Sequence, residues 1–263
     1  MLQVFEYGPA GILGVAPPQG NPTVEPEMSS LLPGDVAMLT TRLRGDALDA
    51  RKRFGDYLTN LGESLEAYGG IPLGAFGFAC TATTYLQGQA AVEREFAKLS
   101  ERFGYPIIAS AAAIRMALDE LGAKRIALFS PYPAWLQQAS AEFWTKSGFD
   151  LVTKSDVDLT GGSTSGIYRL RSSTIAEVVR GVNWRGADAI VLTGTGAPTL
   201  RAIPAIAEFS DKPVLSSNLC LAWAMLRAIG HSAALPVEAQ RSVLIDTGWA
   251  ARRFESCAHV KEA

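Results

Sequence analysis

A chain of 263 residues is long enough to bury the core of one large α/β domain or of two small lobes. Its 24 Lys and Arg against 26 Asp and Glu leave a net charge of −2, which argues against the basic stripe of a nucleic-acid binder and the polybasic tail of a membrane-surface protein. Three cysteines without a CxxC pair and only two histidines argue against a disulfide framework and a His-rich metal site, so no metal is expected and a reducing, cytoplasmic setting is.

The N-terminal stretch carries Glu6 inside its apolar run and does not read as a secretory signal. The first predicted strand is GILGVAP (11–17). A loop follows, APPQGNPTVEPEM (16–28), in which Gly20-Asn21-Pro22 cannot continue a strand. Asn21 offers both a donor and an acceptor there, whereas Glu25 and Glu27 read as cap or surface charges. A strand at 35–43 and a helical pattern at 50–69 come next. LGAFGFA (73–79) then delivers Cys80 to a strand tip, followed at once by Thr81, Ala82, Thr83 and Thr84.

A helix at 90–104, a strand at 105–110 and a helix at 111–122 follow, the last ending at Gly122 as a C-cap. KRIALFS (124–130) is the next strand, and Tyr132 sits in the proline-rich loop after it. Strands at 149–154 and 188–193 flank the segment GGSTSGIYRL (161–170), which is expected to contribute to a pocket. Gly194 and Thr195 lie in LTGTGAPT (192–199), a glycine-rich turn that lacks both GxGxxG and GxxxxGK[ST] and suits close approach to a small anion. The last strand, 212–217, precedes an apolar helical pattern in which Cys220 reads as core. Cys257, His231 and His259 read as structural. No apolar run reaches the roughly 18 residues of a membrane span.

Near-continuous apolar strands alternating with helices predict an α/β fold with mainly parallel sheets. The order of elements also repeats: GILGVAPP is answered by RIALFSPY, GAFGFACTA by DAIVLTGTG, and YPIIASAAAIRMALDELG by KPVLSSNLCLAWAMLRAIG. The expected architecture is two pseudo-symmetric lobes, each a four-stranded sheet flanked by helices. The first lobe comprises 1–105 plus 212–263 and the second 106–211. Ligands of open α/β sheets bind outside the carboxyl ends of the strands, so the cleft between lobes would set Cys80-Thr81 opposite Gly194-Thr195.

A thiol at the start of a helix is stabilised as thiolate by the free N–H groups around it, and so can act as proton carrier or nucleophile. The same N–H groups and the Thr81 hydroxyl can hold a carboxylate. Phe76, Phe78, Tyr85, Trp135 and Tyr168 are candidates for an aromatic pocket or for core.

These motifs resemble the aspartate/glutamate racemase superfamily, in the branch containing maleate cis-trans isomerase and arylmalonate decarboxylase. PQGNPTVEPE resembles a substrate loop whose asparagine binds a carboxylate, ACTATTY a first cysteine motif, SPY a carboxylate-holding tyrosine, and GTGAPTLRAIP the segment around the decarboxylase's cysteine. The resemblance implies two lobes with the site between them, no cofactor, Cys80 as catalytic thiol, and Asn21, Thr81, Ala82, Tyr132, Gly194 and Thr195 around the substrate carboxylate. Two departures stand out. The second-lobe position of the two-cysteine members is Gly194 here, and Ala82 replaces a hydroxyl residue of the decarboxylase.

One thiol serves one face of a substrate carbon, which disfavours two-base racemisation. Decarboxylation of a malonate-type acid needs only stabilisation of the enediolate and one proton, and stands slightly ahead. Maleate-type isomerisation by thiolate addition, or a related racemisation, is the alternative, and a carboxylate-binding protein without turnover is a third reading. The expected partner is a small mono- or dicarboxylate, with no nucleic acid and no membrane. The oligomeric state is left open, a homo-oligomer included.

Overall fold

The computed structural model describes residues 5–45, 48–155 and 157–232. Cys257 and His259 lie outside the described residues, as does the expected first-lobe segment beyond 232.

The first half runs β1 (Gly11–Ala16), α1 (Val24–Leu31), β2 (Val36–Thr40), α2 (Ala50–Thr59), α3 (Leu61–Glu66), β3 (Ala75–Phe78), α4 (Thr81–Gln87), α5 (Gln89–Phe103), β4 (Ile107–Ala109) and α6 (Ser110–Glu120). The second runs β5 (Arg125–Phe129), α7 (Ala134–Lys146), β6 (Asp150–Lys154), a 3-10 turn (Thr164–Arg169), α8 (Ser172–Gly181), β7 (Ala189–Leu192), α9 (Ala202–Ala207), β8 (Val214–Ser216) and α10 (Ser217–Ala228). Each half builds a four-stranded sheet, ordered β2-β1-β3-β4 and β6-β5-β7-β8, and every pairing is parallel. In both, the first strand of the half lies between the second and the third. This identity of order is the structural form of the internal repeat.

All eight expected strands are present. The expected helix at 50–69 is two helices, broken at Asn60, which leaves helical geometry at φ −93° and ψ 10°. The central strands β3 (AFGF) and β7 (AIVL) are buried along their whole length, as parallel strands covered on both faces must be.

The sheets cross over later than the expected boundaries at 105/106 and 211/212. β4 pairs with β3 through Phe76↔Ile107 and so belongs to the first sheet, while β8 pairs with β7 through Ile190↔Val214 and closes the second. The physical reason is that each sheet needs its fourth strand to cover the outer edge of its third. α10 nevertheless returns to the first half, packing on α6, α1 and β3. Its ten inward residues, Cys220 among them, are buried.

What joins the halves near the strand tips is a buried carboxylate. Glu27, on α1, is only 6% exposed. It accepts from the N–H groups of Thr199 (2.6 Å) and Leu200 (2.9 Å), from Thr199 Oγ1 (3.1 Å) and from Asn218 Nδ2 (2.7 Å). The reading of Glu27 as a cap or surface charge is therefore corrected: α1 turns it inward onto the loop after β7. Burial pushes its carboxyl upward, opposed by these four donors. Glu25 keeps to the rim, paired with Arg42 at 2.6 Å.

Removing Glu27 strands two buried N–H groups and an amide. Glu27→Ala is expected to lower the unfolding free energy by about 3 kcal/mol. Glu25→Ala should cost less than about 1 kcal/mol. Urea unfolding of both variants beside wild type measures the difference.

Candidate active site

Strand β3 ends at Phe78, and after Ala79 Cys80 caps α4 in extended geometry (φ −144°, ψ 105°). The cap places the sulfur against the N–H groups of Ala82 and Thr83, which favour the thiolate, while complete burial pushes the thiol up and wins. One hydroxyl also touches the sulfur: Thr83 Oγ1 lies 3.4 Å from Sγ. That hydroxyl has a second acceptor nearer, the carbonyl of Phe54 at 2.9 Å. A hydroxyl carries a single proton. Given to Phe54 O, it leaves the sulfur without this donor; given to Sγ, it joins the two N–H groups in favouring the thiolate. Burial therefore favours the neutral thiol against the local donors.

Asn21 is buried, and its Oδ1 is spent on the first turn of α1, accepting from the N–H groups of Thr23 (2.8 Å) and Val24 (3.3 Å). This fixes the amide so that Nδ2 faces the second lobe and donates to Thr195 Oγ1 at 3.3 Å. Thr195 Oγ1 in turn donates to the Ala79 carbonyl at 2.8 Å. Across the cleft, Thr81 Oγ1 and Tyr132 Oη share a hydrogen bond of 2.7 Å. Burial holds the Tyr132 phenol far above its ordinary range, so it stays a proton-bearing donor.

The seven residues singled out by sequence, Asn21, Cys80, Thr81, Ala82, Tyr132, Gly194 and Thr195, line one cavity of about 30 Å³. That is the volume of roughly one water molecule in the liquid, so a carboxylate enters only by parting the pairs just described. Gly194 has φ +96°, and a Cβ there would lie 2.6 Å from Ile167 Cδ1 and 3.1 Å from Tyr132 Oη. The second-lobe wall has no thiol and no room for one in this arrangement.

The expected segment 161–170 contributes through Thr164, Ile167 and Tyr168, the register that a 3-10 turn imposes. Thr164, Tyr168 and Phe54 also line a larger outer chamber of about 420 Å³, beside Arg53, Tyr57 and Trp135. Of the aromatic candidates, Trp135 and Tyr168 face this chamber. Phe76 and Phe78 are core, and Tyr85 packs on Phe143 and Trp144. Sequence reasoning missed Arg53, Phe54 and Tyr57, which carry only a helical signal, and gave Thr83 no role. The register of Thr83, three residues after Cys80 on a starting helix, was the available sign.

Among the described residues, no group of three His, Cys, Asp or Glu is placed to hold a metal ion, and no helix is long and apolar enough to cross a membrane. His231 contacts Asp35 at 3.2 Å, at the opposite end of the sheet from Cys80.

The profile of the arylmalonate decarboxylase family matches residues 13–241. A maleate isomerase of Geobacillus stearothermophilus is 27% identical over 165 residues, 60% of this chain and 65% of its own length. The chain spans between half and two thirds of the length of the curated relatives it matches. Two solved structures share the fold. One is a cysteine-to-serine mutant of Nocardia farcinica maleate cis-trans isomerase with a covalently bound succinylcysteine intermediate (TM-score 0.74, 20% identity, 86% of this chain and 96% of that one). The other is an arylmalonate decarboxylase (TM-score 0.71, 20% identity, 84% and 93%).

The crowding at Gly194 is directly testable. Gly194→Ala should destabilise the protein by about 1–3 kcal/mol, because an L-residue is strained at this φ and its Cβ meets Ile167 and Tyr132. Denaturant melts read the cost. A variant as stable as wild type would mean that the loop and Ile167 yield freely.

Proposed function

The chain belongs to the arylmalonate decarboxylase family, and from that premise we propose that it is a cofactor-independent enzyme of carbon-acid chemistry beside a carboxylate. Cys80 is its single catalytic thiol, and decarboxylation of a malonate-type acid is its leading reaction. The observation that carries this reading is one buried thiol at the first strand tip, which burial keeps protonated, facing a second tip that is glycine. A proton donor is what decarboxylation requires, since loss of carbon dioxide leaves an enediolate that must gain one proton.

In this mechanism one carboxylate is held where donors converge: Asn21 Nδ2, the hydroxyls of Thr81, Thr195 and Tyr132, and the backbone N–H groups after Cys80 and Gly194. The C–C bond to the departing carboxylate breaks, and its electron pair moves into the enediolate. The same donors meet the growing charge on its oxygens. Ala82 contributes its backbone, in place of a hydroxyl. Cys80 S–H protonates the α-carbon from its own face, and the thiolate then regains a proton from water. Opposite, Gly194 offers no second acid, which weighs against two-base racemisation.

Maleate-type cis-trans isomerisation is the second reading, favoured by the likeness to maleate isomerases. There Cys80 acts as thiolate: sulfur adds to the double bond, the C–C bond rotates, and elimination frees the sulfur.

Turnover in deuterated water separates the two. Decarboxylation puts one deuterium on the product α-carbon, whereas addition and elimination put none there. NMR of the protein with phenylmalonate, methylmalonate and maleate reads this directly. The pH profile separates them as well. Burial sets the thiol above its ordinary value of 9.0. A general acid is active below that raised value and fades as pH climbs through it, while a nucleophilic thiolate gains rate over the same interval. Cys80→Ala should lower turnover by at least about 10²-fold, and retained turnover would remove the thiol from the mechanism. If Cys80→Ser binds carboxylates as wild type does and no substrate is ever consumed, the protein is a binding protein.

A further inference from the structure

A further cavity, of about 390 Å³, opens between α4, α5, β4 and α6 of the first half and Phe143 on α7 of the second. It shares no lining residue with the Cys80 cavity or with the outer chamber. Its volume falls within the range of small-molecule sites, roughly 300–1,000 Å³, and such sites favour the seams between structural units. The floor is apolar: Val92, Phe96, Ala109 and Phe143 are buried there. Met116, 40% exposed, stands at the mouth. These side chains converge on space that the described part of the fold does not fill.

Two polar side chains of this lining have no partner among the described residues. One is Arg115 on α6. Its half-buried guanidinium makes no hydrogen bond, ion pair or ring contact with a described residue. Other guanidiniums of the fold are paired: Arg125 with Asp188 at 2.7 Å, and Arg227, on the neighbouring α10, with Glu120 at 2.8 Å. The other is Thr84, one turn after Thr81 on α4, whose Oγ1 is buried without a partner. The remaining polar lining is engaged within the chain. Ser100 Oγ accepts from the Ile107 N–H at 3.2 Å. Glu93, the only acidic residue of the lining, accepts from Gln89 Nε2 at 2.5 Å and is exposed on α5. The cavity therefore combines an apolar floor with one cation whose donors meet no acceptor in the described protein. A guanidinium is a planar fork that matches a carboxylate, and beside apolar surface such a pair is stronger than in open water.

We propose that this cavity is a second ligand site, for a monocarboxylic acid with an apolar body of about six to ten carbons. The carboxylate pairs with Arg115, and the body lies over Phe96 and Phe143. The site is independent of the reaction at Cys80, although its α4 wall is the helix that Cys80 caps.

Calorimetric titration of octanoate, octan-1-ol and acetate tests it, in wild type, Arg115→Gln, Ala97→Trp and Ala112→Trp. The two tryptophans fill the cavity from different helices, α5 and α6, and thermal melts show which variants remain folded. Wild type should bind one octanoate per chain at submillimolar concentration, octan-1-ol about tenfold or more weakly, and acetate not at all in this range. Arg115→Gln should bring octanoate down to the level of the alcohol, and each folded tryptophan variant should lose both. Cys80→Ala should bind octanoate as wild type does, which keeps this result apart from the catalytic reading. Absence of octanoate binding at millimolar concentration, equal affinity for octanoate and octan-1-ol in wild type, or binding that survives the tryptophans overturns the proposal. So does a sedimenting dimer that Ala97→Trp dissociates, since the face would then belong to a second copy of the chain.

Discussion

The site depends on a hydrogen-bond-accepting carboxyl group buried between two halves that share no sheet. Four donors converge on Glu27, three of them from the loop after β7. The fourth, Asn218 Nδ2, also donates to the Thr195 carbonyl at 3.1 Å. That shared amide couples the brace to the site: the backbone of Thr195 is held by the residue that satisfies Glu27. Thr23, four residues before Glu27, adds a hydrogen bond to the Gly196 carbonyl at 2.9 Å. The second-lobe strand tip is thereby fixed against the first-lobe loop that carries Asn21, and its position opposite Cys80 follows. Burying a carboxyl costs several kcal/mol unless donors surround it, so this brace holds only when the loop is in register. It makes inter-lobe alignment close to all-or-none.

Within that frame the polar groups of the cavity are paired with one another across the cleft. Thr81 meets Tyr132, and Asn21 meets Thr195. Each bond joins a first-half to a second-half residue, and each is made by groups that would otherwise be buried donors without partners. A carboxylate entering the cavity replaces these bonds with charge-assisted ones, which are stronger. The donors are therefore preorganised by one another, and the energy to part them comes from the anion. The Cys80 sulfur is contacted separately, by Thr83, whose hydroxyl also reaches the Phe54 carbonyl on α2, while burial keeps the thiol protonated. Arg53 is the neighbour of Phe54 on that helix, and the outer chamber is thereby tied to the same element.

Much of this was legible in the sequence because it is local. A strand that ends in Cys-Thr and starts a helix needs no tertiary information, and neither does a Gly-Asn-Pro loop or a Gly-Thr-Gly turn. The repeat in element order then brings the strand tips together by topology alone. The illegible part is what tertiary burial decides. Glu27 looks like any acidic residue in the first turn of a helix, and only the packing of α1 against the loop after β7 buries it. Arg53 and Tyr57 carry amphipathic helix spacing and nothing more. The crossover points escaped because β4 and β8 are three residues each, too short for their own sheet membership to show in periodicity.

The asymmetry of the site has a backbone origin. The two halves share strand order, and their equivalent tips are Cys80 and Gly194. Cys80 sits in extended geometry that any residue adopts, with its side chain aimed into the cavity. Gly194 sits at φ +96°, where a side chain is strained, and its missing Cβ is the space occupied by Ile167 and the Tyr132 phenol. A second thiol would thus require a different turn after β7, not only a different side chain. That turn is itself held by the Thr195, Thr199 and Leu200 contacts to Glu27 and Asn218. The one-thiol chemistry and the inter-lobe brace are consequences of the same loop conformation. The brace fixes the turn, the turn demands glycine, and the glycine leaves Cys80 to act from a single face.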